Sequence, residues 1–179
     1  MNTKNYLIVG ANGANGGIGQ AIVKQLIEMT ANNKSSGNGK IFATYHTNEP
    51  DFTADNLHWL PIDVSNEKSI EQAVTEIKQQ ATHIDWVINC VGLLHTPNNQ
   101  PEKALRQLET DFFLQNMQIN ALASLLIAKH IKPLLAKAER DADNPAVFAT
   151  ISARVGSISD NELGGWYSYR MSKAALNMG

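Results

Sequence analysis

The sequence predicts an α/β protein with a doubly wound parallel sheet, and three observations predict it. Short apolar runs alternate with segments of helical spacing along the whole chain. The run Asp85-Trp-Val-Ile-Asn-Cys-Val91 is nearly all apolar after its first residue, as a strand buried on both faces should be. A glycine-rich segment, Gly10 to Gly19, joins the first apolar run to the first helical one. Strands separated by helices pair in parallel through right-handed crossovers, which is the doubly wound arrangement.

Taken in order, Tyr6 to Val9 is the first strand, and Ile18 to Met29 is a helix with Ile18, Ile22, Leu26 and Met29 on one stripe. The polar stretch Asn32 to Gly39 reads as a loop. Ile41 to Tyr45 and Leu57 to Pro61 are the second and third strands, the latter followed by Asp63-Val64. Ser65 is placed to cap a helix carrying Ile70, Ala73, Val74 and Ile77. Residues 85–91 form the fourth strand, and a Pro/Asn-rich loop spans Pro97 to Pro101. A long helical region covers Asp111 to Ala138, striped by Leu122, Leu125, Leu126 and Ile131, with Pro133 expected to kink or interrupt it. Ala146 to Ile151 is the fifth strand and Tyr167 to Met178 the last helix. The 179 residues are expected to form a single domain.

Composition narrows the function classes. Charged residues make up 18 % of the chain, the formal charge is −2 and no dense Lys/Arg run occurs, so no footprint for nucleic acid or an anionic membrane is expected. No apolar stretch is long enough to span a bilayer, and the first residues lack the apolar core of a signal peptide. Cys90 is the single cysteine, which leaves no disulfide framework and no thiolate metal cluster. A cytoplasmic enzyme or binding domain fits these features.

Glycines between a strand and a helix permit positive φ and let the backbone approach a pyrophosphate, which then lies on the amides of the helix N-terminus. Two registers fit: Gly13, Gly17 and Gly19, or Gly13, Gly16 and Gly19. Far downstream, Tyr169 and Lys173 are four residues apart on a helix and so share a face. There the ammonium favours the phenolate and is expected to pull down a phenol pKa of about 10. Tyr169 is then a proton donor and acceptor near neutral pH, whereas Tyr167 projects from another face.

In this combination and order the motifs resemble the classical branch of the short-chain dehydrogenase/reductase family. Gly13, Gly17, Ile18 and Gly19 are similar to its glycine motif, and Asn89-Cys-Val-Gly92 to its Asn-Asn-Ala-Gly element. Asp63-Val64 resembles its adenine-contacting pair, Asn120 its helical active-site asparagine, and Tyr169 with Lys173 its Tyr-x-x-x-Lys. The resemblance implies a Rossmann-like sheet in the order 3-2-1-4-5. It also implies NAD(P) bound by Gly13, Gly17, Ile18, Gly19, Tyr45, His46, Asp63, Val64, Asn89, Gly92, Tyr169 and Lys173. The implied reaction interconverts a small-molecule carbonyl and a secondary alcohol by hydride transfer, in a homodimer. Tyr169 would exchange the proton, Lys173 would lower its pKa and bind the nicotinamide ribose, and Asn120 would hold a water. The second strand ends Tyr45-His46-Thr47 with no acidic residue before Glu49. A carboxylate at that strand end binds a ribose 2′-hydroxyl and repels a 2′-phosphate, so NADP is expected, with NAD as the alternative.

Three departures accompany the resemblance. The phosphate turn is three residues longer than the family's, as though Ala-Asn-Gly were duplicated in Ala11 to Gly16. Ile151-Ser-Ala-Arg-Val-Gly156 puts Ala153 where the family carries its serine, leaving Ser152 as first candidate and Ser157 as second. The family's last two strands and substrate-covering loop have no counterpart before Gly179. The sheet is therefore expected to lack its last strands, in a truncated protein or a piece of a longer one. The rival function is a catalytically inactive nucleotide-binding or dimerisation module on the same scaffold.

Overall fold

The computed structural model describes residues 4–12, 17–32, 39–135 and 145–179. The chain divides into two compact units, residues 1–90 with 128–150, and residues 91–127 with 151–179.

The first unit holds a parallel sheet of β1 (Tyr6–Asn12), β2 (Ile41–Tyr45), β3 (Leu57–Pro61), β4 (Trp86–Asn89) and β5 (Val147–Thr150), ordered β3-β2-β1-β4-β5. This is the order the resemblance implied. Ile8 pairs with Ala43 on one side and Ile88 on the other. Tyr6, Ile8, Ile41 and Ala43 pack against Val23 and Leu26 of α1 (Gly17–Asn32). Strand alternation sends Leu7, Val9 and Phe42 to the opposite face, and they are buried as well. Both faces of the central strands are thus covered, and each fully buried side chain such as Ile8 or Phe42 contributes about 1.5–3 kcal/mol.

Strands β4 and β5 are shorter and α1 longer than the sequence predicts, and two further local features differ. Strand β1 runs three residues past its predicted end, because Gly10 takes φ +75° and the pairing shifts register between Ile8 and Asn12, a bulge that resumes at Asn12 opposite Tyr45. The Gly10 amide donates to Thr44 Oγ1 at 2.9 Å, and Asn12 Nδ2 to the Asn48 carbonyl at 2.8 Å, which holds the bulged strand to the end of β2. Helix α2 (Glu67–Gln80) is capped by Asn66, not Ser65: Asn66 Oδ1 accepts the Lys68 amide at 3.1 Å. Ser65 is taken by Asp63, whose Oδ1 accepts its amide at 2.9 Å and its hydroxyl at 2.7 Å, and this tight turn delivers the cap to the next residue.

The second unit is built from α3 (Thr110–Met117), a π-helical turn (Gln118–Leu122), the start of α4 (Ala123–Leu135) and α5 (Tyr167–Met178), with 3₁₀ turns at Leu105–Gln107 and Arg154–Gly156. The predicted long helical region is present, but it is interrupted at the π turn rather than at Pro133. Helix α4 continues through Pro133 to Leu135, the last residue described there, and Ala138 lies outside the described residues. Beside apolar residues such as Phe112 and Ile127, the interior of this unit buries many polar ones: Glu102, Asn116, Asn120, Ser168, Ser172 and Lys173. Such groups must find partners, and their partners define the candidate site. Among the described residues no helix is long and apolar enough to cross a membrane.

Candidate active site

In the first unit the C-terminal end of β1 meets the N-terminus of α1 at very short range. A Cβ on Gly19 would stand 2.5 Å from the Gly10 carbonyl oxygen and 2.9 Å from Ala11 Cα, so only glycine permits this approach. Gly17 opens the helix at φ +47° with open space where a side chain would stand, and Ile18 beside it is exposed. A helix N-terminus of this kind suits an anion. Gly13 and Gly16 lie outside the described residues.

Tyr45 and His46 follow at the end of β2. The Tyr45 phenol is raised by desolvation and by the Glu49 carboxylate, which hydrogen-bonds it. The Asp63 carboxyl is held below its ordinary value by the Ser65 hydroxyl and amide, with His46 a smaller contributor. Val64 and Asn89 are buried. Burial pushes the neighbouring Cys90 thiol up to about 11, which leaves it protonated and unsuited to act as a nucleophile.

In the second unit Lys173 is buried, and its Nζ donates to the Ile151 carbonyl at 3.0 Å. A Cβ on Gly92 would lie 3.3 Å from Lys173 Nζ and 3.6 Å from Asn120 Oδ1, so Gly92, Asn120 and Lys173 converge on one point. Asn120 sits inside the π turn, a distortion that recurs at functional positions. Its Oδ1 accepts the Leu93 amide at 2.6 Å. Its Nδ2 faces the Leu93 carbonyl at 2.8 Å, Ser172 Oγ at 2.9 Å and Asn116 Oδ1 at 3.1 Å. Ser172 passes the chain on to the Tyr169 carbonyl at 2.8 Å. Asn120 is thereby fixed against the helix that carries Tyr169 and Lys173.

Tyr169 is half-buried. Lys173 Nζ is 5.8 Å from its ring centroid, and Trp166 lies edge-on to it with centroids 6.3 Å apart. Burial raises the Tyr169 phenol and lowers the Lys173 ammonium, the reverse of the expected pull of the lysine on the phenol. The ammonium is turned to the Ile151 carbonyl, and desolvation disfavours charge on both groups. Trp166 has φ +50°, the one non-glycine residue with positive φ among those described. A bulky residue held there costs about 1–3 kcal/mol and persists only where its surroundings fix it.

The candidate serines bond elsewhere: Ser152 follows Ile151, whose carbonyl holds Lys173, but turns its own hydroxyl to α5. Ser152 is exposed and donates to Asn177 Oδ1 at 2.5 Å, a partner eight residues along α5 from Tyr169, or about 12 Å of helix. Ser157 Oγ lies 3.1 Å from Ser159 Oγ. Asn116, Ser172, Trp166 and Glu102 were not singled out by the sequence. Asn116 alone had a local sign, its position one helical turn before Asn120.

The comparisons with known proteins bear on the same elements. The family model described as short chain dehydrogenase matches residues 5–178. The chain belongs to the short-chain dehydrogenase family. A 1-hydroxy-2-glutathionyl-2-methyl-3-butene dehydrogenase of Rhodococcus sp. is 30 % identical to this dehydrogenase-family chain over 117 residues, covering 65 % of it and 46 % of the relative. An (S)-benzoin-forming benzil reductase of Saccharomyces cerevisiae is 28 % identical over 169 residues, covering 92 % and 60 %. The crystal structure of an NADPH-bound carbonyl reductase from chicken fatty liver matches with a TM-score of 0.80 at 25 % identity, over 99 % of this chain and 68 % of that one. The chain spans about half the length of the curated relatives it matches.

Proposed function

We propose that this member of the short-chain dehydrogenase family is an NADP-dependent oxidoreductase that interconverts a small-molecule carbonyl and a secondary alcohol, with Tyr169 exchanging the proton. The observation that carries this reading is the buried Lys173 one turn from Tyr169, on a helix tied through Ser172 to Asn120. NADPH, when bound, supplies the hydride. Tyr169, kept protonated by burial, gives its proton to the developing alkoxide oxygen in reduction and takes it back in oxidation. Lys173 carries the charge that favours the phenolate left behind. Asn120, held on both sides of its amide, keeps the Leu93 backbone and α5 in register during that transfer. Ser152 has no role in this scheme, since its hydroxyl is committed to Asn177.

The residues of the first unit suit the dinucleotide's phosphates and adenosine: the open Gly17–Ile18 helix start, Tyr45 and His46 at the end of β2, and Asp63. The choice of NADP rests on the end of β2, which carries no acidic residue between Tyr45 and Asn48. The NADPH-bound chicken reductase supports it. Glu49, at the Tyr45 phenol, is the group that opposes a 2′-phosphate. The test is the melting temperature with each nucleotide, because a ligand that binds only the native state stabilises it by about 2.7 kcal/mol at a hundredfold excess over Kd. The expected result is a larger rise with NADPH than with NADH; an equal or larger rise with NADH overturns the NADP assignment.

One observation favours a second reading, an inactive dinucleotide-binding module: Ala153 stands where the family's serine is expected, and Ser152 turns to Asn177. Stabilisation by NADPH without turnover of any aldehyde or ketone would select it. We further infer a homodimer, from exposed Leu114, Leu122 and Leu125 along α3 to α4 and Met171 and Met178 along α5. Sedimentation should show a dimer that Leu125→Glu converts to monomer, and a monomeric wild type sinks the inference.

A further inference from the structure

We propose that Glu102 is a positioning residue for Tyr169, acting through the first turn of α5; this rests on the oxidoreductase reading above. Glu102 comes from the loop before the first 3₁₀ turn and is 2 % exposed. Its Oε1 accepts the Ser168 hydroxyl, and its Oε2 accepts the Ser168 amide at 3.3 Å. Its backbone carbonyl accepts the Trp166 amide at 2.5 Å. One remote residue therefore takes two of the backbone donors that the start of a helix leaves without intrahelical partners.

The local chain supplies no such cap. The N-cap of α5 is Trp166, which makes no side-chain capping bond and sits in the left-handed region. Helices ordinarily begin on a serine, threonine, aspartate or asparagine whose own side chain closes the first turn. Here a tryptophan in an unfavourable conformation replaces that cap, and a buried acid from 66 residues away closes the turn. Mere helix stability does not call for this combination. It does fix the direction of the first turn, and Tyr169 is the residue immediately after Ser168.

The Trp166 backbone is held by the Glu102 carbonyl, and its ring meets the Tyr169 ring edge-on. From the next turn Arg170 secures the approaching loop, donating through Nε to the Val155 carbonyl at 3.2 Å and through a terminal nitrogen to the Gly165 carbonyl at 3.4 Å. Glu102 and Trp166 also line a cavity of about 330 Å³ beside Leu163 and Arg170. Loss of the Glu102 carboxylate leaves Ser168, and with it the first turn of α5, without its anchor, and the phenol of the next residue drifts from its proton-transfer position.

The test compares Glu102→Ala, Glu102→Gln and Ser168→Ala in the 179-residue chain, reading kcat and KM for a ketone together with the melting shift on adding NADPH. Displacement of a proton donor by a fraction of an ångström to an ångström acts on the chemical step, so Glu102→Ala should lower kcat by about tenfold to a hundredfold with the NADPH shift retained. Glu102→Gln keeps an oxygen acceptor for Ser168 and should restore most of kcat. Ser168→Ala, which removes only the hydroxyl bond, covers the case in which Glu102→Ala fails to fold, and should lower kcat with the fold intact. A Glu102→Ala protein with a lower melting temperature and an unchanged kcat overturns the proposal, as does an unchanged kcat in Ser168→Ala. If the wild type reduces no carbonyl while binding NADPH, the oxidoreductase reading itself falls, a result distinct from turnover that is indifferent to Glu102.

Discussion

Replacing Tyr169 by phenylalanine is expected to lower carbonyl reduction by about 10²–10⁴-fold, the range that a positioned proton donor contributes. The ring is kept, and with it the edge-on contact to Trp166 and the packing of α5, so the melting temperature and its rise with NADPH should change little. The pH dependence follows from the burial of the phenol. Burial disfavours the phenolate and places the Tyr169 pKa above its ordinary value of 10.0. Reduction consumes the phenol proton, so its rate should hold through neutral pH and fall only as pH rises through that elevated pKa. Oxidation, which needs the phenolate, should climb over the same alkaline window. Native-state stability carries the same sign: the contribution of the neutral phenol is complete below the unfolded pKa and is lost as pH rises through the folded one. The check is a pair of pH–rate profiles, wild type and Tyr169→Phe. Unchanged turnover in Tyr169→Phe removes the phenol as the acid, and a wild-type break near neutrality means that the Lys173 charge overcomes burial during turnover.

The sheet was legible in the sequence because its determinants are local and repeated. Each apolar run is short, each crossover carries its own helical stripe, and β2, β3 and α5 begin and end at their predicted residues. The misses have physical causes. The cap of α2 moved to Asn66 because Asp63, two residues before Ser65, takes both donors of that serine. The end of β1 moved because a single glycine at φ +75° can carry a strand around a bulge, a choice the residue type permits without announcing. The π turn at Gln118–Leu122 has no composition cue, whereas Pro133, the residue with the strongest cue, sits within α4 without ending it there.

The candidate site divides in the same way. Gly92, Asn120 and Lys173 converge as their motifs implied, because each motif is fixed by the element that bears it. Ser152 follows Ile151, the partner of Lys173, and its hydroxyl bonds Asn177, one turn beyond Lys173 on α5. Glu102 was invisible because its partner is 66 residues away, and no local pattern marks an acid that caps a distant helix. What the sequence conceals is therefore concentrated in long-range polar contacts of the second unit, where side chains rather than backbone periodicity decide the arrangement.

The largest effect on stability should come from a single methyl group at position 19. A Cβ there would stand 2.5 Å from the Gly10 carbonyl oxygen and 2.9 Å from Ala11 Cα, both backbone atoms that no rotamer change can move aside. Overpacking typically costs about 1–3 kcal/mol when neighbouring side chains yield, and with only backbone to yield Gly19→Ala belongs at the top of that range. At about 2–4 °C per kcal/mol for a domain of this size, the melting temperature should fall by roughly 6–12 °C. The methyl also forces α1 away from the bulged end of β1, so the rise in melting temperature on adding NADPH should shrink as well. Gly17→Ala is the matched control. Its Cβ meets open space, and the penalty is confined to the left-handed backbone, about 1–2 kcal/mol. The two glycines thus separate the requirements of the turn, close helix-to-strand packing at Gly19 and backbone conformation at Gly17. A Gly19→Ala protein that melts with the wild type would mean that β1 and α1 can part without loss, and the packing argument for the third glycine of the motif would fall.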